Sequence, residues 1–306
     1  MEGQPGSAKF MPISFLILTF NSSSYVNSLL DSLSERIDTG VRKGKYEIII
    51  VDNNSTDDTV HKISKYLSEK KEWGDHIVFE KSKINLGYAN GINLAAQKAS
   101  GDILVIINPD AVLLESDFDA LIDRFETDKK LGIVGLRLVD TLGTSEKTAG
   151  KFYNPLTFLL YCFGMEDLFP LRFAPGNTTQ VDFVSGGFVA IRKDLFERLG
   201  GYDKDYFMYV EDMDLCFRAS EAGFKTIYMP SAVIRHQGQG SSSREFAIVN
   251  IYKGLQIFYS KHSSFFMQQY VKNLLSLKAA LIIFIASILG RRTLVATYQK
   301  ALKNIS

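Results

Sequence analysis

The sequence predicts an α/β fold with a doubly wound sheet, followed by a helical extension at its C-terminal end. Three observations lead to this prediction. Short apolar runs alternate with helical patterns, polar residues cluster directly after three of those runs, and the pattern is helical from Arg244 onwards. The composition is that of a folded globular chain, because 46% of the residues are hydrophobic and 23% are charged.

Four short, β-branched apolar runs read as strands that are buried on both faces of a sheet. They lie at residues 13–19, 46–52, 77–80 and 103–108. Helical patterns lie between them, near residues 23–37, 56–69 and 89–99. Right-handed crossovers through such helices bring the carboxyl ends of parallel strands to one edge of the sheet, where ligands bind.

Polar residues follow the first, second and fourth of these runs. The three clusters are Thr19-Phe20-Asn21, Asp52-Asn53-Asn54-Ser55 and Asn108-Pro109-Asp110. One such cluster is typical of an ordinary turn or helix cap. Three clusters at the same sheet edge favour a binding site.

The second half of the chain has a different pattern. Residues 181–191 read as one strand that contains a glycine pair, where the backbone approaches another group closely. Residues 211–222 read as a helix that begins with carboxylates, and residues 225–229 and 232–236 read as two further strands. The aromatic segment 154–173 is predicted to be an insertion that lines a groove.

The helical C-terminal region contains an apolar run at residues 279–289. This run is shorter than the roughly 20 residues that span a bilayer. Lys278, Arg291 and Arg292 flank it, which favours a helix lying in an anionic membrane interface. Packing on the rest of the chain or on a second subunit is the alternative.

Charge and cysteine content narrow the class of protein further. The net charge of +1 gives no overall attraction to nucleic acid. Cys162 and Cys216 lack metal-ligand spacing and predict reduced thiols in the cytoplasm. Residues 1–10 are predicted to be a disordered leader, and no secretory signal is recognised there.

Three groups of residues are candidates for chemistry. Asp110, after a buried strand, is the best single ligand for Mg²⁺ or Mn²⁺, and Asn108 points to the same side of the extended chain. His236, which precedes a Gly/Ser loop, is a second metal candidate. Asp212, at an acidic helix start among aromatic residues, is the predicted general base, with helix capping as the alternative.

Together these motifs resemble the family 2 inverting glycosyltransferases of GT-A fold, and within them the bacterial rhamnosyltransferase-like branch. The matching segments are ILTFN (17–21), IIIVDNNSTD (48–57), NLGYANGIN (85–93), INPDA (107–111), the long block 185–223, and H-x-x-x-G-S from His236. The resemblance implies a doubly wound mixed sheet of GT-A type with a nucleotide-binding half and an acceptor half. It places the glycosyltransferase domain at residues 11–243 and a helical region, with membrane association expected, at 244–306.

The resemblance also implies roles for individual residues. Asp52 accepts a hydrogen bond from a pyrimidine base, and the rest of the donor site is formed by Thr19, Phe20, Asn21, Asn54, Asn85, Gly87, Asn108 and Asp110. Asp110 and His236 bind the metal, and Asn108 replaces the first Asp of the family's Asp-x-Asp motif. The transferred sugar or its acceptor contacts Ser185, Gly186, Gly187 and Glu211, while Asp212 is the catalytic base.

The implied donor is a nucleotide-diphosphate sugar, dTDP-L-rhamnose first and a UDP-sugar such as UDP-galactofuranose second. The interfacial C-terminal helix predicts that the acceptor is a glycan or a sugar on a polyprenyl diphosphate, reached from the inner face of the cell membrane. Mg²⁺ or Mn²⁺ is the expected cofactor, and the oligomeric state is left open. A dinucleotide-binding oxidoreductase is excluded, because Thr19 to Ser24 contains no glycine. A non-catalytic relative is disfavoured, because Asp110, Asp212 and His236 are all present.

Overall fold

The computed structural model describes residues 13–165, 169–185, 187–237 and 243–305 of the chain. The predicted leader at residues 1–10, Gly186, and the glycine-rich part of the loop after His236 lie outside the described residues.

The first half has the predicted alternation of strands and helices. Its elements are β1 (Ile13–Thr19), α1 (Val26–Arg42), β2 (Tyr46–Asp52), α2 (Thr59–Glu69), a 3₁₀ segment (Lys71–His76), β3 (Ile77–Lys81), α3 (Gly87–Lys98) and β4 (Ile103–Ile107). The four strands pair in parallel in the order β3-β2-β1-β4. The predicted parallel layer, with three polar strand ends at one edge, is therefore confirmed.

The second half completes the sheet with strands of both directions. Its elements are β5 (Ala111–Ser116), α4 (Phe118–Thr127), β6 (Leu131–Val139), β7 (Ala149–Gly150), α5 (Pro155–Cys162), β8 (Arg172–Phe173), β9 (Thr179–Val181), β10 (Phe183–Val184), β11 (Phe188–Arg192), α6 (Lys193–Arg198), α7 (Glu211–Glu221) and β12 (Lys225–His236). The main sheet continues from β4 through β11, β6, β12 and β5. The β4–β11–β6 pairs are antiparallel, β6–β12 is parallel, and β12–β5 is antiparallel. The sheet is therefore mixed, as the GT-A resemblance implies.

The prediction of one strand over residues 181–191 is wrong. The segment forms the end of β9, then β10, then β11, and these strands belong to two sheets, because β10 pairs with β7 in a small separate sheet. Gly187 has a φ of 59°, a left-handed conformation that favours glycine and breaks the extended chain before β11.

The two strands predicted at 225–229 and 232–236 form a single strand, β12. Its pairing with β6 shifts register between Tyr228 and Val233, on either side of Pro230. Proline removes a backbone donor, so an irregularity at this point is expected within one continuous strand.

The C-terminal helices pack against the rest of the molecule. They are α8 (Arg244–His262), α9 (Phe265–Ile288) and α10 (Arg292–Lys303). Buried side chains of α8 and α9, including Leu255, Phe258 and Val271, belong to the same apolar core as Phe158 of α5 and Phe183 of β10. The helical extension is therefore part of the core that supports one face of the sheet.

α9 is longer than the apolar run suggested. Its 24 residues make it, by length and composition alone, the one helix in the described part of the chain that is able to cross a bilayer. Only 22% of its apolar window is buried. The expectation that this segment is too short to span a bilayer is therefore wrong, because the apolar character extends well before residue 279.

Candidate active site

A cavity of about 400 Å³ lies at the carboxyl ends of β1, β2 and β4. We call it the strand-end cavity. Among the predicted donor-site residues it is lined by Phe20, Asn85, Gly87, Asn108 and Asp110. These residues come from the ends of β1 and β4 and from the start of α3, so the fold brings them together as the sequence predicts.

Asp52 lies just below this cavity and is only 1% exposed. Its carboxylate accepts hydrogen bonds from Thr19 Oγ1 at 3.0 Å and from the backbone N–H of Ser55 at 2.9 Å. In this structure Asp52 therefore organises the turn that follows β2, and its role toward a base stays a prediction.

Asn21 and Asn54 shape the neighbouring turns. Both have positive φ angles, 48° and 66°, which asparagine tolerates better than most residues. The Asn21 Oδ1 accepts a hydrogen bond from the Thr56 N–H at 2.9 Å, which ties the β1 and β2 turns together. Neither residue lines the strand-end cavity, so donor contact by Asn21 or Asn54 also stays a prediction.

Asn53 is a cavity residue that the sequence did not single out. Its Nδ2 donates to Asn85 Oδ1 at 2.9 Å and to the Gly87 carbonyl at 3.1 Å, and its Oδ1 accepts from the Leu86 N–H at 2.8 Å. This side chain fixes the start of α3 against the end of β2. Its position in the polar cluster after β2 is the sequence feature that could have identified it as a cavity residue.

The antiparallel pairing of β5 and β12 places His236 opposite Ala111 and therefore beside Asp110. The His236 Nε2 lies 3.5 Å from Asp110 Oδ1, is buried, and has no hydrogen-bond partner. The other ring nitrogen, Nδ1, lies 3.2 Å from Glu146 Oε1. The two carboxylates raise the pKa of His236 to about 10, Asp110 having the larger effect, against the opposing effect of burial.

This arrangement fits a divalent cation. The orphaned Nε2 and the Asp110 carboxylate face each other, while Glu146 holds the ring from behind in the manner of an outer-shell partner. Within the described residues no group of three or more His, Cys, Asp or Glu forms a closed metal cage. Two protein ligands are consistent with a cation that is completed by substrate phosphates.

A second cavity, of about 310 Å³, lies on the other side of Asn108. We call it the aromatic cavity, because Tyr153, Tyr161 and Phe183 line it. It also contains the predicted base, Asp212, and the predicted sugar-site residues Ser185, Gly187 and Glu211. The predicted groove-lining role of the segment 154–173 is thus confirmed for Tyr161 and Arg172.

The two cavities share a wall made of Tyr88, Asn108 and Met208. Burial raises the pKa of Tyr88 well above its usual value, and the carboxylates of Asp212, Glu211 and Asp110 raise it further. Tyr88 therefore lies within electrostatic reach of the acidic groups of both cavities. Asp110 and Asp212 therefore lie in adjacent cavities of one cleft, which this wall divides.

Asn108 is fixed at the centre of this wall. Its Oδ1 accepts a hydrogen bond from the Tyr88 hydroxyl at 3.1 Å, and its backbone N–H donates to the Gly187 carbonyl at 2.9 Å. A Cβ at Gly187 would lie 2.1 Å from Asn108 Nδ2, so only glycine fits there. Asn108 therefore lies between the two cavities, and its contact with the donor stays a prediction.

Asp212 is held by a buried tyrosine. The Tyr202 hydroxyl donates to Asp212 Oδ1 at 2.5 Å. Burial, and after it the charge of Asp212, raises the pKa of Tyr202 well above its usual value, so the phenol keeps its proton and stays a donor. The adjacent Glu211 is only 4% exposed, its Oε2 has no hydrogen-bond partner, and burial raises its pKa well above the usual value.

The backbone that leads into Glu211 and Asp212 is strained. Tyr209 and Val210 both have a φ of 71°, a left-handed conformation that is unfavourable for a β-branched residue such as valine. Gly254 of α8 packs directly on this turn, since a Cβ there would lie 2.8 Å from Val210 Cγ2 and 2.9 Å from the Tyr209 carbonyl oxygen. α8 therefore helps to hold α7 in place.

The family model of Glycosyl transferase family 2 matches residues 14–200. The chain belongs to this family. It is 26% identical over 257 residues to N-acetylglucosaminyl-diphospho-decaprenol L-rhamnosyltransferase of Mycobacterium tuberculosis, covering 74% of this chain and 76% of that protein. It is 26% identical over 224 residues to rhamnosyltransferase WbbL of Escherichia coli (strain K12), covering 71% and 80%. The resemblance to the rhamnosyltransferase-like branch is confirmed.

Solved glycosyltransferases have a similar fold. Mannosyltransferase PcManGT from Pyrobaculum calidifontis, in complex with GDP-Man and Mn²⁺, matches with a TM-score of 0.58 and 17% identity over 96% of this chain and 86% of that one. GalNAc-T7 with UDP, GalNAc and Mn²⁺ matches with a TM-score of 0.61 and 14% identity, over 88% of this chain and 55% of that chain. The GT-A fold prediction is confirmed.

Replacing Glu146 by Gln tests the cation site. We expect Mn²⁺-dependent binding of a nucleoside diphosphate to weaken by about 10- to 100-fold, because the histidine loses its orienting carboxylate. Calorimetric titration with and without Mn²⁺ measures this change. Glu115→Gln, an exposed change on β5, is the matched control and leaves binding unaltered. Wild-type Mn²⁺ dependence in the Glu146 variant contradicts the assignment.

Replacing Gly254 by Ala tests the support of the strained turn. The added methyl group displaces Val210 and lowers kcat by about 10- to 100-fold, although alanine favours a helix more than glycine does. Adding Val210→Gly to this variant removes the clash with the valine side chain and the strain at position 210, although the contact with the Tyr209 carbonyl remains, and we expect it to restore part of kcat. Steady-state kinetics of the wild-type enzyme, the single variant and the double variant measure this. A lone Gly254→Ala variant with normal kcat shows that α8 does not position α7.

Proposed function

We propose that this glycosyltransferase is an inverting rhamnosyltransferase of cell-surface glycan synthesis. It transfers L-rhamnose from dTDP-L-rhamnose to a sugar carried on a polyprenyl diphosphate at the inner face of the cell membrane. The rhamnosyltransferase relatives in Mycobacterium tuberculosis and Escherichia coli support the sugar, and the name of the Mycobacterium tuberculosis relative supports the kind of acceptor. Residues 11–243 form the transferase domain, and residues 244–306 associate with the membrane.

The observation that carries the proposal is the divided cleft. The strand-end cavity contains Asp110 and takes the donor, while the aromatic cavity contains Asp212 and takes the acceptor. Both substrates then meet at the wall of Tyr88, Asn108 and Met208. Such an arrangement holds two reactants in line, which is the main requirement of a single displacement.

In the proposed mechanism Asp212 removes the proton from the acceptor hydroxyl as its oxygen attacks the anomeric carbon. The bond from that carbon to the nucleoside diphosphate breaks, the electron pair leaves with the diphosphate, and the anomeric configuration inverts. The transferred sugar extends past the wall and lies over Ser185 and Gly187, while its diphosphate stays beside Asp110 in the strand-end cavity. Asp110 and His236 would hold Mg²⁺ or Mn²⁺, which would supply positive charge against the charge on the diphosphate.

The base of the donor is a pyrimidine in this proposal, bound near Asp52 and the start of α3. Thymine and uracil present the same hydrogen-bonding edge to a carboxylate, so a UDP-sugar remains the second candidate. Turnover of dTDP-L-rhamnose and of UDP-sugars on the same acceptor separates the two. Preference for a UDP-sugar overturns the rhamnosyl part of the proposal and leaves the reaction type intact.

α9 supports the membrane part of the proposal. Its exposed apolar side chains follow one stripe of the helix, and the opposite face packs against the core. The stripe consists of Leu277, Leu281, Phe284, Ile285 and Ile288. Exposed Arg291 and Arg292 follow it, a pairing suited to an anionic lipid surface. Because one side of α9 packs against α5, α8 and α10 of the globular core, we favour a helix lying in the interface over one crossing the bilayer.

Replacing Asp212 by Asn tests the catalytic base. We expect kcat to fall by about 10²- to 10⁴-fold, as removal of a general base does. Affinity for the nucleoside diphosphate stays within about twofold, because Asp212 lies in the aromatic cavity alone. Asp205→Asn, in the loop before α7, is the control and keeps full activity. Normal turnover in the Asp212 variant places the base elsewhere.

Replacing Leu281, Phe284 and Ile288 together by Gln tests membrane binding. Each of these large side chains contributes on the order of 1 kcal/mol or more when it enters lipid, so binding falls by at least about 100-fold. Sedimentation with vesicles that contain anionic lipid measures the change. Leu142→Gln is the control, since Leu142 is 89% exposed in the turn after β6. Unchanged sedimentation of the triple variant refutes the proposed membrane face.

A further inference from the structure

Arg172 of β8 is a cation inside the aromatic cavity that the reaction described above does not use. Its Nη2 donates to Ser185 Oγ, and its Cζ lies 5.9 Å from the centre of the Phe183 ring. These two contacts hold the guanidinium in position but do not neutralise its positive charge. Among the described residues no carboxylate forms an ion pair with it.

The guanidinium also has an unsatisfied donor. The Arg172 Nε is buried and has no hydrogen-bond partner. Buried donors of this kind are rare in native proteins, and a bound ligand is one of the usual reasons for them. Arginine matches the geometry of phosphate oxygens better than any other side chain, because its planar fork donates two parallel hydrogen bonds. The chemistry at this position therefore favours a phosphate.

The donor diphosphate is a poor candidate for this phosphate. Arg172 lines the aromatic cavity and is absent from the lining of the strand-end cavity, where Asp110 lies. The anion recognised by Arg172 therefore belongs to the substrate that enters beside Asp212. That substrate is the acceptor.

The wall of the aromatic cavity is also joined to α9. Tyr161, which lines the cavity, lies on α5, and the Lys278 Nζ of α9 is 4.8 Å from the centre of its ring. The Tyr270 hydroxyl of α9 donates to the Pro155 carbonyl at the start of α5 at 2.9 Å. An acceptor that reaches Asp212 from a lipid surface covering α9 would bring its phosphate past this side of the cavity.

We propose that Arg172 binds the phosphate that joins the acceptor sugar to its lipid carrier, and so selects lipid-linked acceptors over neutral ones. The inference rests on the proposed function and names the feature of the acceptor that the enzyme recognises. Arg172 then acts as a specificity residue, while proton transfer stays with Asp212. A 310 Å³ cavity is within the usual size range for a small-molecule site.

The test uses two acceptors with the same sugar: one on a short prenyl diphosphate and one on a neutral alkyl chain of equal length. In Arg172→Gln we expect KM for the diphosphate acceptor to rise about 10- to 100-fold, because charge-assisted hydrogen bonds are lost. KM for the neutral acceptor and for the donor stays unchanged. Arg172→Lys, which keeps the charge, recovers part of the loss. Arg137→Gln is the control. It removes the hydrogen bond from Arg137 Nε to Ser145 Oγ, as Arg172→Gln removes the one to Ser185, but Arg137 lies outside both cavities.

Three other outcomes overturn the inference. An equal loss with both acceptors assigns Arg172 a structural role beneath Ser185. A rise in the KM of the donor assigns it to the donor diphosphate. Equal use of both acceptors by the wild-type and the Arg172→Gln enzymes leaves the proposed function standing without this subsite. Failure of the wild-type enzyme to transfer to either acceptor, by contrast, defeats the proposed function itself and the inference with it.

Discussion

The contact between Asn108 and Gly187 is the constraint on which the rest of the site depends. It lies where the parallel part of the sheet ends at β4 and the antiparallel part begins at β11. The absence of a side chain at Gly187 lets the Asn108 amide pack directly on the backbone, and Tyr88 closes the contact from α3. A cavity forms on each side of this point, so one close approach creates two adjacent binding spaces.

The C-terminal helices are part of the active site and not only an attachment to it. α8 contributes Ile251 and Leu255 to the aromatic cavity and supports the strained turn before α7 through Gly254. At the end of α8, His262 Nε2 lies 2.7 Å from Asp214 Oδ1, so the same helix also holds the buried side of α7. Removing the whole extension would therefore disturb the aromatic cavity together with the proposed membrane face, whereas point changes on the exposed stripe of α9 leave the cavity intact.

The strand ends could be predicted because parallel strands with continuous apolar runs leave few choices of topology. The neighbouring positions of Asp110 and His236 followed only from the family resemblance, since they come from strands far apart in sequence. Glu146 was missed because it lies in a loop with no periodic pattern, and Arg172 because a two-residue strand gives no signal. The single strand at 181–191 was wrong because alternation of apolar residues does not reveal which sheet a strand joins.

Glu211 and Asp212 are neighbouring carboxyl groups in the aromatic cavity, and they differ in burial and in hydrogen bonding. Glu211 is buried, and burial together with the charge of Asp212 raises its pKa, so the proton is favoured on Glu211. Asp212 instead receives a hydrogen bond from Tyr202, an interaction that favours a carboxylate. When the environments of two neighbouring acids shift their pKa values apart, one acid can stay neutral as a hydrogen-bond donor while the other acts as a base. This difference supports the proposal that Asp212, the more exposed member of the pair, removes the proton and that Glu211 presents a neutral carboxyl group to a sugar hydroxyl.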